Sequence, residues 1–580
     1  MERRVLIAIT LSFLVLFLFQ RFVTPPPETA PPQSGVIGGQ PPASTPAPGS
    51  MAALTAPDRL PPPAAAPVTA PALPSLATQL STKMLVGETV DREIVVETTT
   101  VRATFTNRGG RLLHWVLKDY RNDQGTLLDL VPSFAGADAA KPFSLAVDDQ
   151  SVTERINSGL YRVSSNDRPL SASTLDATAA PLTVTFAMLA SDGLEVRKTF
   201  TIEPRGYLVT FQTVVRLGQT VLNPVIHWGP GFGDEIAQRP PSSFFSPNSI
   251  VSAQPMLYKD GSVERVPPTT AGSQEGLFRY AGVSDHYFAS LLLNDESPVP
   301  FRIDYAPVNL PIANEPARAA NYMTYSVRFQ APPQQSRFFF GPKALDDLRA
   351  LDTELVRSIH FGIFSWLAVP LLGALKWVYG FVGNWGWAIV VLTILINLAM
   401  FPLRHKSVVS MKKMQALQPQ MKAIQDRYAK YKVTDPERQK MNTEVMALYK
   451  SKGVNPASGC VPMLLTMPFL FAFYAMLSVA IEIRGANFFA WITNLSLPDP
   501  YFITPLLMGV AQFWQMKMTP TTADPTQQKI MMFMPIMFSF MSLSFPSGLV
   551  IYWLVSTVWT IGQQYATNYL IGDAPKRAAK

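Results

Sequence analysis

Apolar positions along this chain follow three patterns. The densest is Trp385–Leu403, W-G-W-A-I-V-V-L-T-I-L-I-N-L-A-M-F-P-L. It is apolar and long enough to cross a bilayer as a helix. Thr393 and Asn397 interrupt it one turn apart, on one helical face. An amide in hydrocarbon needs partners, so that face is expected to point at a bundle interior or a watery cavity. Four further apolar runs follow: Val461–Ile481, Ile503–Met518, Ile530–Phe545 and Leu549–Ile571. Two of them hold only about 16 residues, roughly 24 Å of helix against a hydrocarbon layer of about 30 Å, so local bilayer thinning is expected.

The second pattern is alternation. Glu93–Phe105 and Val196–Phe211 alternate apolar with polar residues, Thr and Val dominate, and turn signals such as Asn107-Arg108-Gly109-Gly110 and Ser191-Asp192-Gly193 recur. Residues 81–348 are therefore expected to form a large all-β sandwich domain.

The third pattern is apolar but interrupted. In 349–381, Pro370, Gly373 and Gly380 break the run, and Trp366, Lys376 and Trp377 suit a headgroup boundary. This predicts an amphipathic helix lying in the interface, with an additional full span as the alternative. Near the start, Val5–Phe19 follows Arg3 and Arg4, which predicts a transmembrane anchor over 1–23. No small-x-small site follows it, and Pro25–Pro27 come at once, against the alternative of a cleaved signal peptide. Residues 24–80, rich in Pro and Ala, read as an extended tether.

Charge sets the orientation. Of the 580 residues, 48% are hydrophobic and only 16% charged, and the formal net charge is +8. Cations crowd the segment 404–455, including Lys412, Lys413, Lys422, Arg427 and Lys430, which places it in the cytoplasm. Spans are then expected over 1–23, over 382–403 and four times within 456–571, six in all, five of them forming the core. Both termini and the short tail 572–580 fall inside, and 24–381 outside. Within the basic segment, Met414, Leu417, Met421, Ile424, Tyr428 and Tyr431 recur at spacings of three and four, and Met441, Val445 and Leu448 continue the seam. Thr434-Asp435-Pro436-Glu437 offers a capping box between the two helices. A helical hairpin follows, either a solvated connector or a docking arm. Asn397, Gln512, Gln515, Thr560 and Gln563 gather toward the cytoplasmic ends of their spans. Two readings stand: ordinary interhelical hydrogen bonding, or a hydrated groove open to the cytoplasm.

The candidate chemistry is sparse. One cysteine, Cys460, allows no intramolecular disulfide, and the five histidines have no metal-ligand spacing, so neither metal nor cofactor is expected. A proton-coupled transporter needs ionisable residues at depth, whereas Glu482 and Arg484 lie at an outer edge. A membrane enzyme acting on periplasmic glycans needs a carboxylate pair or histidine constellation that the sequence does not assemble. Asp148-Asp149 falls in a turn.

Several motifs, in order and at matching spacing over roughly 381–571, resemble the YidC membrane insertase family, kin to the Oxa and Albino insertases. They are Gly383-Asn384-Trp385-Gly386, M-A-L-Y-K at Met446–Lys450, Val454-Asn455-Pro456 with Gly459-Cys460, Met467-Pro468, Leu507-Met508-Gly509-Val510, Lys517-Met518 with Pro520-Thr521, Asp524-Pro525 and Phe545-Pro546-Ser547-Gly548-Leu549-Val550. Thr106–Gly110 and Arg197-Lys198-Thr199-Phe200 match more weakly the Gram-negative type, whose β-domain is periplasmic. The resemblance implies an insertase and chaperone of the inner membrane, not an enzyme. It acts on nascent membrane proteins, alone or beside the SecYEG translocon, with the ribosome and membrane lipids as partners and no specific nucleic acid sequence. The short tail is expected to add little to ribosome binding. Thr393, Met467, Tyr552 and Trp553 match family positions of substrate contact. A cation usual in the family's second span is Asn397 here.

Overall fold

The computed structural model describes residues 84–571, apart from 123–124, 133–139, 234–251, 295, 297, 313–314, 333–334, 429–430, 432–435, 454–460 and 520–524. The expected anchor, tether and tail lie outside the described residues. So do Lys430, Thr434 and Asp435 of the expected capping box, and the motifs at 454–460 and 520–524.

The alternating runs become antiparallel strands, and each breaks where a turn is chemically favoured. Glu93–Phe105 is not one strand. Thr98 accepts the Val101 N–H at 2.8 Å and folds the run into a hairpin that pairs Ile94 with Phe105. Val196–Phe211 likewise belongs to two strands, Leu194–Ile202 and Leu208–Leu217, joined through Gly206 at φ +88. These strands lie in a 12-stranded sheet, and two five-stranded sheets pack on it. The inward residues are aromatic. Phe105 of one small sheet meets Phe200 of the large one at 4.9 Å between ring centroids. Trp228 of the other small sheet meets Phe340 at 4.1 Å. Trp115 donates its indole N–H to the Phe340 carbonyl at 2.8 Å. The domain is thus a β-sandwich of three sheets, with its core between them.

Lys198 is wholly buried in that core. Its ammonium donates to the carbonyls of Gly109, at 2.6 Å, and Phe143, at 2.8 Å. The two weakly matching motifs therefore meet in space. Asn107 in the same turn is also buried, accepting the Arg92 N–H and donating to the Val90 carbonyl. Asp149, expected in a turn, caps helix α1, Gln150–Ser158, by accepting the Ser151 and Val152 N–H groups.

The helical region begins with α2, Leu345–Leu351, and continues with α3, Ser365–Val382, and α4, Trp385–Ala416. Helix α4 does not stop at Leu403, where the sequence pattern ends the span. It runs on through Pro402 into the basic segment. Then come α5, Gln418–Arg427, α6, Pro436–Ser451, α7, Val461–Val479, α8, Ile503–Met518, α9, Pro525–Ser542, and α10, Ser547–Ile571. Among the described residues, Gly362–Val382 and Trp385–Ala416 are long and apolar enough to cross a membrane, and Met467–Val479 and Met532–Ser542 are shorter apolar stretches.

Candidate substrate groove

The motif residues turn out to be the joints of the bundle. Asn384 accepts the Trp387 N–H and so caps α4, while its amide donates to the carbonyls of Asn487 and Phe488 in the loop after α7. Gly386 leaves room for the Phe488 ring: a Cβ there would stand 2.0 Å from it. Trp385 stacks on Tyr379 at 4.1 Å. In the Phe545–Val550 motif, the Ser547 hydroxyl donates to the Leu497 carbonyl at 2.6 Å and the Gly548 N–H to that of Leu495 at 2.9 Å. Gly509 lets α8 approach α9, where a Cβ would stand 2.6 Å from the Ser539 hydroxyl oxygen. These motifs lock one end of the helices and leave the other end to a different set of residues.

At that other end, α4 and α10 face each other with polar stripes. On α4, Thr393 is buried and donates to its own helix at the Ile389 carbonyl, 2.6 Å. Asn397 is buried too, and its amide donates to the Thr393 carbonyl at 2.8 Å. The Asn397 side-chain carbonyl oxygen then accepts from the Arg404 guanidinium at 2.8 Å and from the Ser556 hydroxyl at 3.4 Å. The same Arg404 nitrogen donates to the Thr560 hydroxyl at 3.1 Å. Further along, Gln563 donates to the Phe401 carbonyl at 3.3 Å, and His405 and Thr567 lie 3.2 Å apart. Residues 397 and 404 are two helical turns apart, which puts them on one face. Among the described residues, no carboxylate lies within 4 Å of Arg404. The half-buried guanidinium thus has the neutral oxygens of Asn397 and Thr560 as hydrogen-bond acceptors, where charge is costly to leave unpaired.

The stripe also contains polar atoms with no protein partner among the described residues. The Gln563 side-chain oxygen, the Gln564 amide nitrogen, the Asn568 oxygen and the Trp559 indole nitrogen are all buried without one. Buried polar groups are ordinarily satisfied, so each of these has unused hydrogen-bonding capacity aimed into the α10 packing.

The remaining site residues expected from sequence fall in different places. Met467 is 37% exposed on α7. Tyr552 is buried and stacks on Phe473 with centroids 4.2 Å apart, and Trp553 meets Phe538 edge-on at 5.1 Å. Gln512 and Gln515 are half-buried on α8, and no hydrogen bond ties them to the α4–α10 stripe among the described residues. Arg404 is the residue that sequence reasoning missed. The signal was there, seven positions after Asn397, but Arg404 read as the first cation of the cytoplasmic loop.

In the basic hairpin, Met414, Leu417, Met421 and Tyr449 form a small buried cluster, with Val445 and Leu448 against it. Lys413 and Lys422 are exposed, Lys412 is half-buried, and exposed Arg427 pairs with Glu444 at 3.3 Å.

The chain resembles known proteins over its whole length. The family described as 60Kd inner membrane protein matches residues 377–574, and that described as YidC periplasmic domain matches residues 93–374. A membrane protein insertase YidC of Syntrophus aciditrophicus is 32% identical, over 98% of this chain and 99% of that protein. One from Pelobacter propionicus is 33% identical over 99% and 100%. One from Citrifermentans bemidjiense is 34% identical over 99% and 100%.

Proposed function

The chain belongs to the YidC family of membrane protein insertases, and from that premise we propose that it works through a hydrophilic groove between α4 and α10 whose cation is Arg404. It is an inner-membrane insertase with a periplasmic β-sandwich domain and a helical C-terminal region. Its clients are nascent membrane proteins. Six spans cross the membrane, five of them in the helical region, with the N- and C-termini in the cytoplasm. Helix α3 lies along the outer interface, and the groove opens to the cytoplasm and to lipid. The SecYEG translocon and the ribosome are its partners, and the basic hairpin with Lys412, Lys413, Lys422, Arg427 and Lys430 is its docking arm.

One observation carries the groove: the guanidinium of Arg404 reaches back to Asn397 and Thr560, 2.8 and 3.1 Å away. An aliphatic stem along the helix with the charge held elsewhere is ordinary behaviour for a long cation near a membrane boundary. Here it brings a charge against Asn397, the position at which the resemblance implies a cation, from two turns away. A charged substrate residue at mid-bilayer costs about 2.5–3.5 kcal/mol on insertion scales. A polar half-channel from Arg404 to Thr393, together with the short helix α8, shortens the dry path that such a residue must cross. Apolar substrate segments leave into lipid beside Met467, with Trp553 and the half-buried Gln512 and Gln515 along the rim. No covalent step is involved.

The test is insertion of a single-span substrate whose translocated segment carries one Asp, against the same substrate with Asn. Arg404→Gln is expected to lower insertion of the Asp form roughly tenfold, since a hydrogen bond to a charged group is worth about 1.5–3 kcal/mol. The Asn form should change little. Equal insertion of both forms by the variant and the unaltered protein removes Arg404 from the groove. Asn397→Leu should impair both substrates, and no change would remove Asn397.

A further inference from the structure

Where the sandwich meets the helices, two cavities of about 480 and 910 Å³ adjoin, and both are lined by Arg265, His360, Phe361 and Gly362. The smaller one runs between the sheet domain and the last turns of α7, from Tyr474 to Val479. Buried Lys343 lines it, with its ammonium on the Asp285 carbonyl at 2.6 Å. The larger one opens along the start of α3, past Ile363, Trp366 and Val369. Ile363 is 90% exposed and Trp366 68%.

The polar wall is cationic. Arg265 donates one nitrogen to the carbonyls of Arg357 and Ser358, at 3.0 and 3.2 Å, and no carboxylate lies within 4 Å of it among the described residues. Arg357 is paired with Glu354 at 2.8 Å. Asp285 is the carboxylate on the lining of the smaller cavity. Burial first, and Arg265 and Lys343 after it, hold His360 below its ordinary range, so it meets a ligand as a neutral imidazole able to donate one N–H. A roomy cationic pocket continuous with exposed apolar side chains has the anatomy of a headgroup site with an acyl-chain exit.

We propose that the two cavities form a binding site for an anionic phospholipid of the outer leaflet, its phosphate on Arg265 and His360 and its chains over Ile363 and Trp366. The proposal rests on the topology above, which puts the start of α3 and the end of α7 at the outer membrane boundary. Occupied, the site pins the sheet domain to the membrane at the root of α3, beside the contact of His286 with Ser478 at 2.6 Å. The shared chemistry is a phosphate, so free phosphate is the competing source.

The test uses the full chain in nanodiscs of phosphatidylcholine, with either phosphatidylglycerol or phosphatidylcholine brominated on its acyl chains. Subtracting the Trp366→Phe signal isolates quenching at Trp366. Quenching is expected to saturate at about fivefold less brominated phosphatidylglycerol than phosphatidylcholine, the worth of one basic contact. Arg265→Gln should abolish that preference, Arg265→Lys restore most of it, and His360→Gln reduce it. Equal quenching by the two lipids overturns the anion site and leaves the topology standing. No quenching by either overturns both. Loss of the preference on adding millimolar inorganic phosphate assigns the pocket to free phosphate and overturns the lipid.

Discussion

His286 of the sheet domain and Ser478 of α7 are joined directly: the ring Nε2 lies 2.6 Å from the Ser478 carbonyl oxygen. A carbonyl only accepts, so Nε2 carries the proton. The contact ties the sandwich to helix α7 across 192 residues of chain.

Burial of His286 makes the junction acid-sensitive. Burial pushes His286 down to about 4, with the hydrogen bond to Ser478 pulling the other way and Lys343 and Arg484 adding to the fall. An unfolded histidine titrates near 6.5. Between those values the unfolded chain binds the extra proton, so the contribution of His286 is intact above about pH 6.5 and is lost as pH falls toward 4. The loss is on the order of 3 kcal/mol. Thermal unfolding of the unaltered protein and of His286→Gln should converge as pH drops from 7 to 4.5. A constant gap across that window contradicts the assignment.

Gly386 is irreplaceable because Phe488 fills the space that a side chain would take. Gly386→Ala forces a Cβ to 2.0 Å from that ring and should cost about 1–3 kcal/mol as overpacking. Adding Phe488→Ala should recover part of the melting temperature. No recovery would mean that the strain lies in the α4 backbone instead.

Lys198 joins two segments of the sandwich by its two carbonyl contacts. Lys198→Met keeps the stem and orphans the carbonyls of Gly109 and Phe143, at about 1–3 kcal/mol for each group left unsatisfied. The sheet domain should melt several degrees lower. An unchanged melting temperature would show that the carbonyls find other partners.

Lys376 is the brace between α2, α3 and the loop after α7, 2.6 Å from Asp346 and 3.1 Å from Glu482. Glu482 is the more buried partner. Lys376→Ala should therefore cost about 1–3 kcal/mol, and Lys376→Ala with Glu482→Gln less than the sum of the two single changes. Strict additivity in a double-mutant cycle would show no coupling.

Much of this architecture was legible along the chain. Period-two alternation marks the sandwich, because a strand with one face in a core must alternate. The helical runs from Trp385 onward are unmistakable, because an apolar stretch of that length has few other uses. The spacing of Met414, Leu417 and Met421 already contained the hairpin's buried seam. The strand breaks at Thr98–Thr100 were not visible, because a threonine favours a strand by branching and a turn by its hydroxyl, and the alternation masked the second role.

What only the folded chain decided is which distant polar groups share a space. Charge counting put Arg404 in the cytoplasmic loop, whereas the structure keeps its backbone within helix α4. The guanidinium, several bonds away, joins Asn397 and Thr560 because α10 packs beside α4 and offers it oxygens. Lys198 on Gly109, His286 on Ser478 and Arg265 beside His360 are of the same kind. Hydrophobic period is a local property, repeated within a few residues, so it survives in one dimension. A polar contact between residues far apart in the chain depends on the packing of every element between them, and no short stretch of sequence encodes it.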